Sequence, residues 1–284
     1  MSASRAVWVL SVLSAVAAAL GAAPAGAEEH AQGLALGDSV VFGYISAAGH
    51  QYVNPTNFIG SPEYLSGALH LEMTNAGCPG ETSGSLLSAA APDHGCRDFK
   101  STFPLHVSYG STQLAYALRF LTQHRDTRLV TIGVGANDLF VLEDSCAADP
   151  NPTGCLQAGL PAVLNEVGMN LGTLLAELRA TGYGGAIVVV NYYALDYTDP
   201  LGTQATAALN QALAAPAKPF GAVIADVFSA FKRIAASPDA AGKTCNTGLL
   251  NVDPQDQTLC DVHPSQSGQR LIARTIAEAY RPVR

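Results

Sequence analysis

The segment Leu34-Ala35-Leu36-Gly37-Asp38-Ser39-Val40-Val41-Phe42-Gly43 places a glycine, an acid and a serine directly after a short apolar run. This pattern is typical of a buried strand that delivers a side chain to the end of a sheet. In an α/β protein the chemistry lies at that position, so Ser39 is a candidate nucleophile. The same tripeptide can equally be a turn that leaves a core strand. Partners elsewhere in the chain must decide between these two interpretations.

Strand and helix patterns alternate along the rest of the chain. Apolar runs at residues 128–134, 186–190 and 222–227 predict core strands, and residues 71–75 predict a shorter one. Between the strands apolar residues recur three or four apart, most regularly over residues 156–178, which predicts helices. We therefore expect an α/β fold with a parallel sheet of five strands, covered by helices on both faces.

Ligands of such sheets bind beyond the carboxyl ends of the strands, near the point where the strand order reverses. The residues that directly follow a predicted strand are therefore the candidate site residues. They are Ser39, the loop at residues 77–82, Asn137, Tyr192 and Tyr193.

Residues 1–27 have the pattern of an export signal. Arg5 precedes an apolar run at residues 6–20, and the small residues Ala25-Gly26-Ala27 follow it. We expect cleavage before Glu28, a secreted or periplasmic protein, and one domain over residues 28–284. The apolar run is too short to cross a bilayer, and no second run approaches about 18 residues, so no integral membrane segment is expected.

The charge pattern argues against a nucleic-acid partner. The chain has 15 basic and 23 acidic residues, and the basic residues are scattered. A polyphosphate site needs clustered Lys and Arg. We therefore expect a small-molecule, lipid or acylated-sugar ligand, and a monomeric protein.

All six cysteines lie in the part of the chain that would be exported, where disulfides persist. Other pairings are open to them, but pairing each cysteine with its nearest neighbour would close three short loops, each bridge adding roughly 2–4 kcal/mol. The sequence contains no Cys-x-x-Cys and no His-Glu-x-x-His motif, so a metal site is not expected. The nearest-neighbour pairs are Cys78 with Cys96, Cys146 with Cys155, and Cys245 with Cys260. The segment 78–109, which holds the first pair, shows little periodicity and is expected to be irregular.

A serine hydroxyl becomes a good nucleophile only when a neighbouring base takes its proton. Of the seven histidines, His263 is the best candidate, because it follows the last strand, precedes a helix, and stands beside Asp261 and Pro264. The alternative is a histidine in a surface loop.

Acyl transfer also needs hydrogen-bond donors directed at the developing oxyanion. Asn137 offers a side-chain amide just past a core strand, and Gly80 offers a backbone N–H that a carbonyl can approach closely. Each of these residues taken alone is also compatible with an ordinary turn or bend.

Four short blocks of the chain together resemble the four sequence blocks of the GDSL, or SGNH, esterase and lipase family. The resemblance spans nearly the whole of residues 28–284, and four blocks in order are far more specific than one. The blocks are Gly37-Asp38-Ser39, residues 75–83 (NAGCPGETS), Gly135-Ala136-Asn137-Asp138 and Val262-His263-Pro264.

The resemblance implies a flavodoxin-like three-layer α/β/α sandwich around a central five-stranded parallel sheet. It implies a carboxylic ester hydrolase that forms an acyl-enzyme on Ser39, with His263 as the general base and no metal or organic cofactor. The oxyanion hole would consist of the backbone N–H groups of Ser39 and Gly80 and the side chain of Asn137. The Gly-x-Ser-x-Gly motif of the α/β-hydrolases does not occur in this chain.

The third member of the catalytic triad departs from the family pattern. The family usually places an aspartate three residues before the histidine, and that position is Cys260 here. Asp261 lies two residues before His263, which would put both side chains on one face if the segment were extended. The alternatives are a backbone carbonyl near Cys260, which would leave a Ser-His dyad, and a more distant acid such as Asp256.

The substrate is the least constrained part of the prediction. Tyr192, Tyr193 and Tyr197 follow the fourth strand and either line an acyl or aromatic pocket or pack at its rim. Lipid esters, short-chain esters, thioesters and acetylated sugars all remain candidates. The rival interpretations are a carbohydrate O-acetylesterase and a non-catalytic secreted binding protein on the same fold.

Overall fold

The protein is described by a computed structural model that covers residues 31–253, 255–256 and 259–280. The expected export signal at residues 1–27 lies outside the described residues. Within them, no helix is both long and apolar enough to span a membrane.

A five-stranded, fully parallel sheet forms the centre of the fold. The strand order is β2-β1-β3-β4-β5, so the order reverses at β1. The α/β class, the five parallel strands and the flavodoxin-like arrangement are therefore confirmed. The strands are β1 (Gln32–Gly37), β2 (Glu72–Asn75), β3 (Leu129–Gly133), β4 (Ala186–Val190) and β5 (Val223–Ala225).

Helices cover both faces of the sheet. The described helices are α1 (Ser39–Phe42), α2 (Ser61–Leu69), α3 (Ser83–Leu87), α4 (Cys96–Thr102), α5 (Gln113–Gln123), α6 (Ala136–Cys146), α7 (Pro152–Ala180), α8 (Pro200–Ala214), α9 (Val227–Ala235) and α10 (Gln266–Ala279). Short 3₁₀ turns lie at Gly49–Val53, Pro55–Asn57, Lys218–Phe220 and Thr244–Thr247.

The alternation of side chains along each strand produces two separate cores. On one face, Val130 and Ile132 pack with the helices α5, α7 and α8. On the other face, Leu129 and Val188 pack with α2, α9 and α10. Because both faces are covered, the central strands are apolar at nearly every position, as the sequence predicted.

Helix boundaries follow local capping chemistry. The two long helices α7 and α8 each begin with a capping side chain followed by a proline. The Asn151 side chain accepts the Gly154 N–H, and Asp199 accepts those of Leu201 and Gly202. These caps satisfy N–H groups that have no partner inside the helix, and proline at the first helical position has no N–H to lose.

Two parts of the chain differ from the sequence-based expectation. The segment 78–109 is not wholly irregular, because it contains the short helices α3 and α4. A small antiparallel hairpin, β6 (Leu250–Val252) with β7 (Cys260–Pro264), follows the sheet and was not predicted.

The six cysteines form three disulfides between nearest neighbours in the chain, and none of them is free. The bonds join Cys78 with Cys96, Cys146 with Cys155, and Cys245 with Cys260. The first braces the segment that holds α3 and α4, and the third ties the start of β7 to the 3₁₀ turn before β6.

Gly37, the last residue of β1, approaches β3 too closely to carry a side chain. A Cβ atom there would lie 2.1 Å from the Gly133 carbonyl oxygen, and the backbone φ is +151°. By contrast, Gly67 lies within α2 and has open space around it.

We predict opposite effects for two glycine-to-alanine substitutions. Gly37→Ala should lower the free energy of unfolding by at least about 2 kcal/mol, because β1 and β3 must separate. The matched control Gly67→Ala should raise it by roughly 0.5–1 kcal/mol through helix propensity. Urea denaturation of both variants tests this, and equal stabilities would contradict the close strand contact.

Candidate active site

Ser39 is the first residue of α1, immediately beyond the carboxyl end of β1. The Asp38 N–H donates to the Gly133 oxygen at 3.1 Å, which fixes the chain as it leaves the sheet. The Asp38 side chain then accepts the Val40 N–H at 2.9 Å and caps the short helix. Ser39 therefore lies where the strand order reverses, the usual ligand position in this type of sheet.

His263 lies on β7 and faces Ser39. Its Nε2 atom is 3.0 Å from the Ser39 Oγ, although the two residues are 224 apart in sequence. The pairing of β7 with β6 and the Cys245–Cys260 disulfide hold this strand. The ring of Tyr44 packs edge-on against the imidazole, with 4.9 Å between ring centroids.

Asp261 completes a linear chain of polar contacts. Its Oδ1 atom lies 2.7 Å from the His263 Nδ1, and both side chains are largely buried. Because β7 is an extended strand, residues two apart project to the same face, so the shorter spacing still brings the acid to the ring. Of the three arrangements open for the orienting group, the structure has the one in which Asp261 faces the imidazole.

The Asp261 carboxylate is also held by the loop after α1. The Ser46 N–H donates to Oδ2 at 3.2 Å, and the Ser46 Oγ lies 3.4 Å from the His263 Nδ1. Burial by itself would raise the pKa of Asp261. The hydrogen bonds from His263 and Ser46 and the adjacent imidazole outweigh that effect and leave the pKa below its ordinary value. An ionised Asp261 favours the tautomer in which Nδ1 carries the proton and Nε2 accepts from Ser39.

Gly80 and Asn137 line the same cavity as Ser39 and His263. Asn137 is buried in the first turn of α6, and its Nδ2 donates to the Glu81 oxygen at 2.9 Å. Gly80 has a φ of +84°, and a Cβ atom there would lie 2.3 Å from the His94 oxygen. Only glycine fits this turn without displacing the backbone of residue 94.

The Asp138 carboxylate joins the segment that carries Gly80 to the segment that carries Asn137. It accepts the Ser83 N–H at 2.9 Å and the Ser83 hydroxyl at 2.6 Å. Asn170 on α7 donates to the same hydroxyl at 3.0 Å. This network links the start of α6 to the start of α3, just beyond Gly80.

Tyr192 and Tyr193, which follow β4, line the cavity and also donate hydrogen bonds that hold neighbouring segments in place. The Tyr192 hydroxyl donates to the Asp38 Oδ2 at 2.5 Å, and the Tyr193 hydroxyl donates to the Val262 oxygen at 2.5 Å. Tyr197 is not among the described residues that line the cavity. Its hydroxyl donates to the Phe228 oxygen at 2.8 Å, and its side chain packs against the core that contains Leu129 and Val188.

The cavity beside Ser39 has a volume of about 740 Å³. Its charged lining includes the carboxylates of Glu143, Asp196 and Asp199, and no Lys or Arg is among the described lining residues. Much of the remaining wall is apolar, formed by Tyr44, Pro79, Phe99, Leu139, Phe140, Leu195, Ala205, Leu209 and Val262.

Among the described residues, the one group of three potential metal ligands that lie close together is Cys78, Glu81 and Cys96. The two cysteines are joined in a disulfide and have no thiolate to offer. This group therefore does not fit a metal ion.

Sequence reasoning did not select Ser46, Tyr44 or Asp138. Ser46 and Tyr44 lie in a polar, irregular segment whose pattern gives no signal of its destination. Asp138 directly follows Asn137, but an Asn-Asp pair is so common in turns that its role as a bridge between loops is visible only in three dimensions.

Comparisons with known proteins agree with this architecture. The model of the GDSL-like Lipase/Acylhydrolase family matches residues 35–271. No curated protein matches the sequence. The family resemblance drawn from the four sequence blocks is confirmed.

Solved structures with the same fold include three enzymes of low sequence identity. LAE5, an α/β hydrolase from the metagenome of Lake Arreo, Spain, is 17% identical with a TM-score of 0.54, over 88% of this chain and 94% of its own. A catalytic variant of Axe2, an acetylxylan esterase from Geobacillus stearothermophilus, is 18% identical with a TM-score of 0.52, over 89% and 96%. A protein described as a GDSL-like lipase from Parabacteroides merdae is 14% identical with a TM-score of 0.51, over 88% and 95%. At these identities the likeness shows the fold alone.

Asp38 makes the stability of the site depend on pH. Burial raises the pKa of Asp38 from 3.8 to about 6, against the hydrogen bonds from Tyr192 and Val40, which lower it. The folded protein therefore binds this proton more tightly than the unfolded chain. Below about pH 4 the carboxyl group is protonated in both the folded and the unfolded state, and its burial does not change the free energy of unfolding. Above about pH 6 it is ionised, and its burial lowers the free energy of unfolding by up to about 3 kcal/mol.

We predict that the stability of the wild type relative to Asp38→Asn falls as the pH rises from about 4 to about 7. The asparagine oxygen can still accept the Val40 N–H, so the variant keeps the helix cap but has no ionisable group at this position. Urea unfolding of both proteins across this range measures the difference. A difference that is constant with pH would contradict the burial of an ionisable Asp38.

Proposed function

The chain belongs to the GDSL-like lipase/acylhydrolase family and is a carboxylic ester hydrolase, and from that premise we propose that it is an exported enzyme that works through an acyl-enzyme on Ser39. The observation that carries the proposal is the continuous contact from Ser39 through His263 to Asp261. A serine, an imidazole and a carboxylate in this order are what the activation of a hydroxyl nucleophile requires.

In the first half of the reaction, the Ser39 Oγ attacks the ester carbonyl while the His263 Nε2 takes its proton. The tetrahedral intermediate collapses when His263 returns that proton to the leaving alcohol, and the acyl group stays on Ser39. In the second half, His263 takes a proton from water, whose oxygen attacks the acyl carbonyl. The carboxylic acid leaves, and the proton returns to Ser39.

Asp261 is the orienting acid in this proposal. Its contact with Nδ1 holds the imidazole in the tautomer that can accept from Ser39, and its negative charge stabilises the imidazolium formed in each half-reaction. Ser46 and the extended backbone of β7 keep the carboxylate in place. A Ser-His dyad is not needed to explain the site, because the acid is already in contact with the ring.

The oxyanion hole is assigned to three donors. The N–H groups of Ser39 and Gly80 and the amide of Asn137 would donate to the carbonyl oxygen of the substrate, and all three residues line the cavity beside the Ser39 Oγ. One Nδ2 hydrogen of Asn137 is held by the Glu81 oxygen, which leaves the second for the substrate. Removing one such donor typically costs about 10²–10³ in kcat.

The cavity favours an uncharged ester with an acyl or aryl group larger than acetyl. Its volume of about 740 Å³ and its apolar wall suit a hydrocarbon group. The carboxylates of Glu143, Asp196 and Asp199, with no described basic side chain beside them, disfavour an anionic substrate. A small-molecule or lipid ester fits these properties better than a short acetyl group on a sugar.

Export is supported by two independent features. The expected signal at residues 1–27 would direct the chain out of the cytoplasm. The three disulfides are of the kind that persist in oxidising compartments. We propose a secreted or periplasmic enzyme that acts as a monomer after cleavage before Glu28.

We predict that Ser39→Ala and His263→Ala each abolish turnover of p-nitrophenyl butyrate. Asn137→Ala should lower kcat by roughly 10²–10³, and Asp261→Asn by at least about 10² because the tautomer is lost. The control is His50→Ala, which changes an exposed histidine outside the site and should retain wild-type rates.

Labelling by a fluorophosphonate provides the check on these rates. Wild-type protein should be labelled on Ser39, and Ser39→Ala should not. Undiminished turnover by purified Ser39→Ala, or folded wild-type protein that resists the label, would favour a binding protein on the same fold. An unchanged kcat in Asp261→Asn would point to a Ser-His dyad.

We also predict the preferred acyl length. Each buried methylene contributes about 0.8 kcal/mol, so kcat/KM for p-nitrophenyl butyrate should exceed that for the acetate roughly tenfold. Ala205→Phe, which fills the cavity from α8, should remove the advantage of longer chains. Gln204→Phe, on the exposed side of the same helix, is the matched control. Faster hydrolysis of acetylated xylo-oligosaccharides than of any longer acyl ester would favour the O-acetylesterase alternative.

A further inference from the structure

A fully buried glutamine joins the strand that carries the nucleophile to the loop that carries Gly80. Gln113, at the start of α5, is 0% exposed. Its Oε1 accepts the Gly37 N–H at 2.8 Å, and its Nε2 donates to the Gly37 oxygen at 2.7 Å. The same Nε2 donates to the Glu81 Oε2 at 2.7 Å. Every polar atom of this side chain therefore forms a hydrogen bond, either to the end of β1 or to the loop that carries Gly80.

Glu81 is the second residue of this connection. Its backbone adjoins Gly80 and contacts Asn137, the two members of the proposed oxyanion hole other than Ser39. It directly follows Gly80, and its N–H donates to the Cys78 oxygen at 3.1 Å, which closes the turn. Its carbonyl oxygen accepts from the Asn137 Nδ2 at 2.9 Å. Its carboxylate is held by Gln113 and by the Ser85 hydroxyl. A shift of Glu81 would therefore move Gly80 and Asn137 together.

Stability alone does not account for this arrangement. Glu81 is 3% exposed, and no described Lys or Arg forms an ion pair with it. Burying a carboxyl group without a cationic partner costs free energy, and apolar side chains of similar volume commonly fill such a position at no cost in stability. Neither Glu81 nor Gln113 is among the described residues that line the cavity, so neither reaches the substrate.

We propose that Glu81 and Gln113 are positioning residues that set the distance between the Ser39 nucleophile and the oxyanion donors at Gly80 and Asn137. The inference rests on the proposed function of Ser39 and the oxyanion hole. Gly37 lies two residues before Ser39, and Gly80 lies one residue before Glu81. The Gln113 amide therefore links the nucleophile strand to the donor loop through its side chain, alongside the direct bond from the Cys78 N–H to the Gly37 oxygen at 3.0 Å. Transition-state stabilisation by fixed donors is lost when they move by a fraction of an ångström, whereas ground-state binding is much less sensitive.

The central test is Gln113→Met, which keeps the volume of the side chain and removes its amide. The expected result is a loss of roughly 10–100-fold in kcat for p-nitrophenyl butyrate, with KM changed less than about threefold. Glu81→Met should show the same split. Glu81→Gln is the conservative control and should stay within a few-fold of wild type, because its oxygen can accept from Gln113 and its amide can donate to Ser85. All rates are normalised to the fraction of protein that a fluorophosphonate labels.

A double-mutant cycle separates positioning from a general loss of structure. In the Asn137→Ala background the Gln113→Met penalty should shrink to a few-fold, because part of the oxyanion hole is already gone. In the Gln204→Phe background, which changes an exposed position on α8, the full penalty should remain. Equal penalties in the two backgrounds, a wild-type kcat in Gln113→Met, or a loss confined to KM would each overturn the proposal.

Further measurements distinguish a folding defect, a failure of the proposed function and a failure of the positioning proposal. If Gln113→Met does not fold, Ser85→Ala is used in the same cycle. It removes the hydroxyl that donates to the Glu81 carboxylate and accepts the Thr82 N–H, and a several-fold loss of kcat that shrinks in the Asn137→Ala background is expected. Turnover by Ser39→Ala would overturn the proposed function itself. An inactive Ser39→Ala together with a fully active Gln113→Met would overturn the positioning proposal alone.

Discussion

The close approach of β1 and β3 at Gly37 is the constraint on which the site depends. Because Gly37 has no side chain, its carbonyl can accept from both the Cys78 N–H and the Gln113 amide, while β3 lies directly against it. The chain can then turn at Asp38 and present Ser39 at the sheet edge. A larger residue would separate the strands and displace Ser39 together with the loop that holds Gly80.

The remaining site groups are brought to this edge by elements of very different kinds. Asn137 arrives on a helix that begins just after β3, Gly80 on a turn braced by a disulfide, and His263 on a small hairpin outside the main sheet. The hairpin explains how an acid only two residues before the histidine contacts the imidazole. An extended strand has a two-residue repeat, so Asp261 and His263 share a face.

The fold and the main site residues were accessible to sequence reasoning, because they leave local signals. The apolar runs of β1, β3 and β4 can only be core strands, and Ser39, Asn137 and His263 each follow or adjoin a recognisable element. The hairpin was missed because residues 250–252 and 260–264 are so short that their alternation of apolar and polar residues does not stand out from the surrounding loop. Glu81 lies inside the candidate loop 77–82 but was not singled out within it, and Gln113 gave no signal, since a polar residue near a helix start is ordinary until its tertiary partners are known. Ser46 was missed for the same reason, because only the folded chain brings it to Asp261.

The distance of 224 residues between Ser39 and His263 along the chain has a consequence for how activity arises. Ser39 directly follows β1, the first strand of the parallel sheet, whereas His263 follows all five of its strands in the chain. No nascent or truncated chain that lacks β7 can contain both partners, so the Ser-His pair exists only in a polypeptide that has been made and folded through its final strand. The contact on which the proposed hydrolysis depends therefore cannot form before β7 has been made.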